Sequence, residues 1–216
     1  MKKVNRKSLI IALVLLSAFV GWTIAVKFID IQPIGPDSSL VGFATINDWF
    51  NNFIGVNITL YTITDWFSLI PIAIVVYFAI LGLVQFVQRK SILKVDYSII
   101  SLGVFYCVVM AVFLLFEIFV INYRPVLIEG HLEASYPSST TLLVICIMST
   151  AVMQFNNRIG NKILKSIISA ACIAFTIFMV VGRIVSGVHW ITDIIGGVIL
   201  SSGLVILYSS FNRPKK

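Results

Sequence analysis

Residues 66–88 read WFSLIPIAIVVYFAILGLVQFVQ and contain no charged side chain. An α-helix needs about 20 apolar residues to cross the hydrocarbon core of a bilayer, so this stretch is long enough to span a membrane. Stretches of similar length and character recur on both sides of it. We therefore predict an all-α, polytopic membrane protein whose six transmembrane helices lie at residues 8–27, 67–88, 98–121, 138–155, 166–182 and 190–211.

The composition favours a single membrane domain over residues 1–216. Hydrophobic residues make up 59% of the chain and charged residues only 12%, which is not typical of a soluble globular protein. The longest predicted outer segment, residues 28–65, interleaves aromatic residues with Asn, Thr and Asp. This segment is too polar to span, and it fits either an interfacial helix or lid, or an ordinary loop with an aromatic anchor.

The distribution of positive charge predicts the orientation of the chain. The net charge is +7, but all except three of the sixteen basic residues fall at alternate ends of the predicted helices. This is the positive-inside pattern, so both termini are predicted to be cytoplasmic, and a nucleic-acid partner is not expected. Only Lys27, Arg124 and Arg183 remain on the outer side, where positive charge needs a separate reason.

Two polar residues stand at the start of the last predicted helix. His189 and Asp193 are four residues apart, a spacing that puts both side chains on one face of a helix. The carboxylate could then accept the imidazole N–H and leave the other ring nitrogen free to act as a nucleophile or base. The alternative interpretation is a polar pair that anchors the helix at the membrane interface.

The two outer arginines and the stretch YPSS suggest a phosphate site. Arg124 and Arg183 carry planar guanidinium forks that suit phosphate oxygens. Ser138 directly precedes an apolar run and is a plausible N-cap, and the free N–H groups of a helix N-terminus bind anions. Each feature alone has a simpler interpretation, as a headgroup anchor or an ordinary helix start. Together they indicate a phosphate-binding pocket at the outer ends of the helices.

The same residues resemble the motifs of the type 2 phosphatidic acid phosphatase family. The stretch GRIVSGVHWITD, residues 182–193, is similar to the third family motif (Ser-Arg, five residues, His, three residues, Asp), with Gly182 in place of the serine. Arg124-Pro125 resembles the end of the first motif, and YPSS contains the Pro-Ser of the second. The resemblance covers roughly residues 66–211. It implies a six-helix membrane phosphatase that works through a phosphohistidine and needs neither a metal nor another cofactor.

The resemblance also implies a role for each site residue. His189 would attack the phosphorus atom, and Asp193 would orient the imidazole and stabilise its positive charge. Donors aimed at the phosphate oxygens stabilise the charge that shifts during transfer. These donors would come from Arg124, Arg183, Ser138 and Ser139.

Two positions depart from the family pattern and leave the general acid open. Thr140 stands where the family has the histidine that protonates the leaving group, and Glu117 stands where the first motif has a lysine. A threonine hydroxyl cannot serve as that acid, so another group, Glu117 or His131, could act instead. Alternatively, the substrate is a lipid diphosphate, which expels a phosphate monoester with a second pKa of about 6 and needs less help from an acid.

These observations predict a lipid phosphatase of a bacterial plasma membrane with its active site on the extracytoplasmic side. The expected partners are the bilayer and a phosphorylated lipid, preferably a polyprenyl diphosphate such as undecaprenyl diphosphate. One alternative is a catalytically impaired relative that binds phosphorylated lipid without turning it over. Another is a small membrane transporter whose intramembrane charges line a path.

Overall fold

The computed structural model describes residues 4–212, and most of them are helical. This part of the chain contains eight α-helices, with longer connections after α1 and after α5. In chain order the helices are α1 (Arg6–Phe28), α2 (Ala44–Ile54), α3 (Ile58–Phe67), α4 (Leu69–Arg89), α5 (Tyr97–Ile118), α6 (Ser139–Arg158), α7 (Lys162–Val185) and α8 (Ile191–Phe211).

The prediction of an all-α protein with six membrane-spanning helices is confirmed. Within residues 4–212, six helical stretches are long and apolar enough to cross a bilayer, and α3 together with α4 forms one of them, Ile58–Arg89. The orientation of the termini remains a prediction, and the basic residues at 2, 3, 213, 215 and 216 on which it partly rests lie outside the described residues.

The helix boundaries differ from the predicted ones where polar residues continue a helix. The second span was predicted to start at residue 67, but helical structure begins at Ile58 and is only interrupted at Ser68. The fifth was predicted to end at residue 182, but α7 continues to Val185 and therefore contains Arg183. Average hydropathy marks the apolar middle of a helix, whereas its ends follow hydrogen bonding, so the more polar residues at these two ends fell outside the predicted spans.

Helices α6 and α8 form the centre of the bundle. Both are far more buried than α4, and α8 packs against α1 as well as against α6. Gly197 allows the close approach of α8 to the start of α6, because a Cβ atom there would lie 3.1 Å from Thr141 Cβ and 3.2 Å from the carbonyl oxygen of Ser138. This contact brings the N-terminal ends of the two helices together.

At the other end of the bundle, Asp96 ties three helices to one another. Its carboxylate accepts hydrogen bonds from Arg89 of α4 at 2.9 Å and from Arg158 of α6 at 3.3 Å. It also accepts from Gln85 at 2.9 Å. The hydrogen bond from Arg89 is the main reason why the pKa of Asp96 lies below its usual value. These hydrogen bonds hold the helices together at this end of the bundle, and the motif residues lie at the opposite end.

Candidate active site

Three cationic or nucleophilic side chains gather where α7 meets α8. Arg183 lies in the last turn of α7, His189 lies in the connection to α8, and Arg124 lies in the segment that follows α5. All three are buried, with exposed fractions of 1%, 4% and 8%. Burial lowers the pKa of His189 well below its usual value, and the charges of Arg124 and Arg183 lower it further. The imidazole is therefore neutral at physiological pH, as a nucleophile must be.

One aromatic ring connects the two guanidinium groups. The central carbon of Arg183 lies 4.7 Å from the centroid of the Tyr61 ring, and that of Arg124 lies 5.6 Å from the same centroid. Both distances are typical of cation–π interactions. Tyr61 belongs to α3, so part of the predicted outer segment 28–65 folds over the arginines.

Several buried nitrogen atoms of this cluster lack a hydrogen-bond partner among residues 4–212. They are Nη1 of Arg124, Nε and Nη1 of Arg183, and Nε2 of His189. The three guanidinium nitrogens are donors, and a buried donor without an acceptor is costly, so a group of them in one place suggests a site built for a ligand with several acceptor oxygens. Phosphate meets this need, because two guanidinium forks can surround its oxygens.

His189 and Asp193 are connected differently from the sequence-based prediction. α8 begins at Ile191, so His189 lies outside the helix, and no hydrogen bond or ion pair joins it directly to Asp193 among the described residues. Ser135 stands between them. Its Oγ lies 3.0 Å from His189 Nδ1 and 2.5 Å from Asp193 Oδ2. The spacing of four residues was interpreted as one helix face, but the helix starts too late for that.

The Ser135 bridge fixes which ring nitrogen is free. The ionised form of Asp193 can only accept, and with Asp193 in that form Ser135 donates its proton to Asp193 and accepts the Nδ1–H of His189. Nε2 is then unprotonated and carries its lone pair. Asp193 is held in turn by the main-chain N–H of Trp190 at 3.0 Å and by the side-chain amide of Asn122 at 3.5 Å.

Ser138 fulfils its predicted role at the start of a helix. It is the N-cap of α6, and its Oγ accepts from the main-chain N–H and the hydroxyl of Thr141. Its own N–H donates to the carbonyl oxygen of Asp193 at 3.1 Å. Ser139 and Thr140 form the first turn of α6 and are half-buried. No contact of Ser138, Ser139 or Thr140 with either arginine is recorded within residues 4–212, so their role in phosphate binding stays a prediction.

The two candidate substitute acids occupy different environments. His131 is exposed at the tip of a tight turn and is bonded through its main chain to Ile128. Glu117, in the last turn of α5, lines a small crevice together with Ser135 and Ser139. Its charge lies near those of Arg124 and Glu133, and Glu133 Oε2 lies 3.0 Å from Arg124 Nε. Glu117 is therefore the better placed of the two.

Sequence reasoning missed Tyr61, Asp65, Asn122 and Ser135. Asp65 Oδ1 lies 3.0 Å from Arg183 Nη2, although the two residues are far apart along the chain. A signal was present for Ser135 alone, because it immediately precedes the YPSS stretch. Tyr61 and Asp65 could be assigned only to a predicted outer segment of mixed polar and aromatic residues.

Comparisons with known proteins bear on this geometry. The sequence profile of the PAP2 superfamily matches residues 73–216. The fold is similar to the crystal structure of the first transmembrane PAP2 type phosphatidylglycerolphosphate phosphatase from Bacillus subtilis, with a TM-score of 0.62, 14% sequence identity, and coverage of 92% of this chain and 93% of that one. No curated protein matches the sequence. Because the profile covers well over half of its length and includes all three motif regions, this chain belongs to the PAP2 superfamily.

Proposed function

We propose that this protein releases phosphate from a phosphorylated membrane lipid through a phosphohistidine on His189, and that its preferred substrate is a polyprenyl diphosphate. The observation that carries this proposal is the unpaired, buried Nε2 of His189 next to the unpaired N–H groups of Arg124 and Arg183. A nucleophile and donors for the phosphate oxygens thus lie in one buried cluster. The positive-inside pattern of the sequence favours an extracytoplasmic site.

The first step forms a bond between Nε2 and phosphorus and breaks the bond between phosphorus and the leaving oxygen. The imidazole ring becomes positively charged as Nε2 gives up its lone pair. Nδ1–H stays bonded to Ser135, and Ser135 stays bonded to the Asp193 carboxylate, which stabilises that charge. The two guanidinium groups neutralise charge on the phosphoryl oxygens during the transfer.

In the second step, water attacks the phosphorus and the bond to Nε2 breaks. The water gives one proton to a nearby base, phosphate departs, and His189 returns to its neutral form. Glu117 is the candidate for this base, and in the first step for the acid that protonates the leaving oxygen, because it lines the crevice that contains Ser135 and Ser139. One carboxyl group can serve both steps, as in other two-step hydrolases.

The substrate preference follows from the missing histidine at Thr140. A monoester must expel an alkoxide, which needs a proton, whereas a lipid diphosphate expels a phosphate whose second pKa is about 6. We expect faster phosphate release from a lipid diphosphate than from the monophosphate of the same lipid. We also expect Glu117→Gln to slow the monoester reaction by about 10²-fold and the diphosphate reaction by less.

Phosphate release by purified protein in detergent micelles measures both effects. Glu129→Gln is the matched control, because Glu129 lies in the exposed turn that also holds His131. Equal or faster turnover of the monoester by the unmodified protein would contradict the preference for a diphosphate. The role of Glu117 as base in the second step is common to both substrates, so the test of the acid role is the first turnover, followed as release of the lipid product. An equal effect of Glu117→Gln on that step with both substrates would contradict a role of Glu117 as acid.

A second prediction concerns the Ser135 bridge. Ser135→Ala removes the link between His189 and Asp193, so the imidazole loses its orientation and its preferred tautomer. A misplacement of about 1 Å at a reacting group can cost about 10²-fold in rate, and we expect a loss in kcat of that order. Steady-state phosphate release measures it. Ser209→Ala is the control, because the Ser209 hydroxyl bonds only within α8.

A phosphorylated-lipid binding protein without turnover is the second candidate function. It is favoured by one observation, the exposed carboxylate of Glu117 beside Arg124 in place of a lysine. In that case lipid phosphate would bind, but neither the unmodified protein nor any variant would release phosphate.

A further inference from the structure

Helix α3 contributes to the candidate site although it lies outside the region that the family profile matches. The profile begins at residue 73, whereas α3 comprises Ile58–Phe67. Nevertheless α3 packs on α7. Three of its residues, at positions 61, 64 and 65, contact the end of α7 that carries Arg183.

Gly182 makes this packing possible. A Cβ atom at position 182 would lie 2.6 Å from Thr64 Cγ2, closer than real Cβ contacts allow. Thr64 is fully buried. The family motif has a serine at the position of Gly182. In this chain Thr64 of α3 occupies the space that a side chain there would fill. The fit of α3 against α7 depends on the absence of a side chain at position 182, and it fixes the neighbours of Arg183.

Tyr61 offsets the repulsion between the two arginines. Two buried guanidinium groups of like charge repel each other, and without a partner between them they would separate. The face of an aromatic ring carries partial negative charge and attracts cations within about 6 Å. The Tyr61 ring lies within that distance of both guanidinium groups.

Asp65 has the opposite effect on phosphate binding at the same site. Its carboxylate pairs with Arg183 Nη2 at 3.0 Å, while Nε and Nη1 of Arg183 remain without partners in the described part of the chain. The Asp65 side chain is 62% exposed and that of Arg183 only 2%, so Asp65 pairs with the guanidinium group from the outside of the helix bundle. Any phosphate that binds Arg183 approaches a negative charge there and competes with it for the guanidinium group.

We propose that Tyr61 and Asp65 of α3 tune phosphate affinity at this site in opposite directions. Tyr61 is a positioning residue that holds Arg124 and Arg183 together for one phosphate group. Asp65 is a counter-ion that keeps Arg183 in place in the empty site and weakens phosphate binding. This inference rests on the proposed function only in that the anion held by the arginines is a phosphate.

Binding of inorganic phosphate to the full-length protein tests the proposal without turnover. We expect Tyr61→Leu to weaken phosphate binding by about tenfold, and Tyr61→Phe, which keeps the ring, to bind like the unmodified protein. We expect Asp65→Asn to bind phosphate up to about fivefold more tightly, because the competing carboxylate is lost, and the gain is small because the Asp65 end of the pair is exposed and its charge is screened. Isothermal titration calorimetry in detergent gives these values, with Thr62→Ala as the control from the exposed face of α3.

Three results would overturn the proposal: no phosphate binding by the unmodified protein, weak binding by Tyr61→Phe as well as by Tyr61→Leu, or weaker binding by Asp65→Asn. Thermal unfolding of each variant separates these effects from a loss of fold. For active protein, Tyr61→Leu should raise KM for a lipid phosphate more than it lowers kcat. If no lipid is hydrolysed but the binding pattern holds, the proposed function fails and the role of α3 stands.

Discussion

Replacement of His189 by alanine is expected to abolish phosphate release, with a loss in kcat of at least about 10⁴-fold. The imidazole is the group that forms the covalent bond to phosphorus, and no other side chain among residues 4–212 presents a buried, unpaired ring nitrogen. Rapid-quench experiments with radiolabelled lipid phosphate should also detect an acid-labile phosphoprotein in the unmodified enzyme and none in His189→Ala.

The chain provides a matched control for this experiment, because it contains only two histidines. His131 is exposed in a surface turn, and we expect His131→Ala to release phosphate at the unmodified rate. Substantial activity in His189→Ala would refute a phosphohistidine at this position. A large loss in His131→Ala would instead make His131 the general acid that Thr140 cannot be.

Arg183→Lys should cost about 10²-fold to 10³-fold in kcat/KM, which is the usual effect of removing a donor that stabilises a developing oxyanion. Lysine keeps the charge but lacks the planar fork that binds two oxygens at once. Its point charge also gains less from the Tyr61 ring, on which the guanidinium group of Arg183 lies at 4.7 Å.

Arg158→Lys is the comparison that isolates the site from a general effect of the substitution. Like Arg183, Arg158 lies in the last turn of its helix and pairs with a carboxylate, here Asp96 at the other end of the bundle. That pair is partly exposed, so we expect Arg158→Lys to change kcat/KM by less than about twofold. Similar losses of kcat/KM in both lysine variants would show that Arg183→Lys lowers activity by destabilising the fold. Thermal unfolding would then show a lower Tm for that variant.

The six long helices could be predicted from the sequence because membrane spans are encoded locally, in the length of uncharged stretches. The arginines and the histidine could be placed at one end of the bundle for the same reason, whereas the side of the membrane on which that end lies stays a prediction. The Ser135 bridge could not be predicted, because it depends on where α8 begins and on a contact between segments distant in the chain. The spacing of His189 and Asp193 suggested a direct contact. Residues four apart share a helix face only when both belong to the helix, and His189 does not.

The outer segment illustrates a different limit. Helices α2 and α3 are short, and their residues are mixed in polarity, so hydropathy left the choice between a lid and a loop open. What sets their position is packing, such as the contact of Thr64 with Gly182. Tyr61 and Asp65 reach the arginines only because α3 lies where that packing puts it.

The contact between Thr64 and Gly182 changes how the departure at Gly182 should be interpreted. A mismatch with a family motif suggests a weakened active site when the motif is considered alone. Here the missing side chain leaves the room that a neighbouring helix occupies, and that helix brings two further residues to the site. Positions 64 and 182 therefore pack as a pair. A serine introduced at position 182 would match the motif but would displace α3, which carries Tyr61 and Asp65.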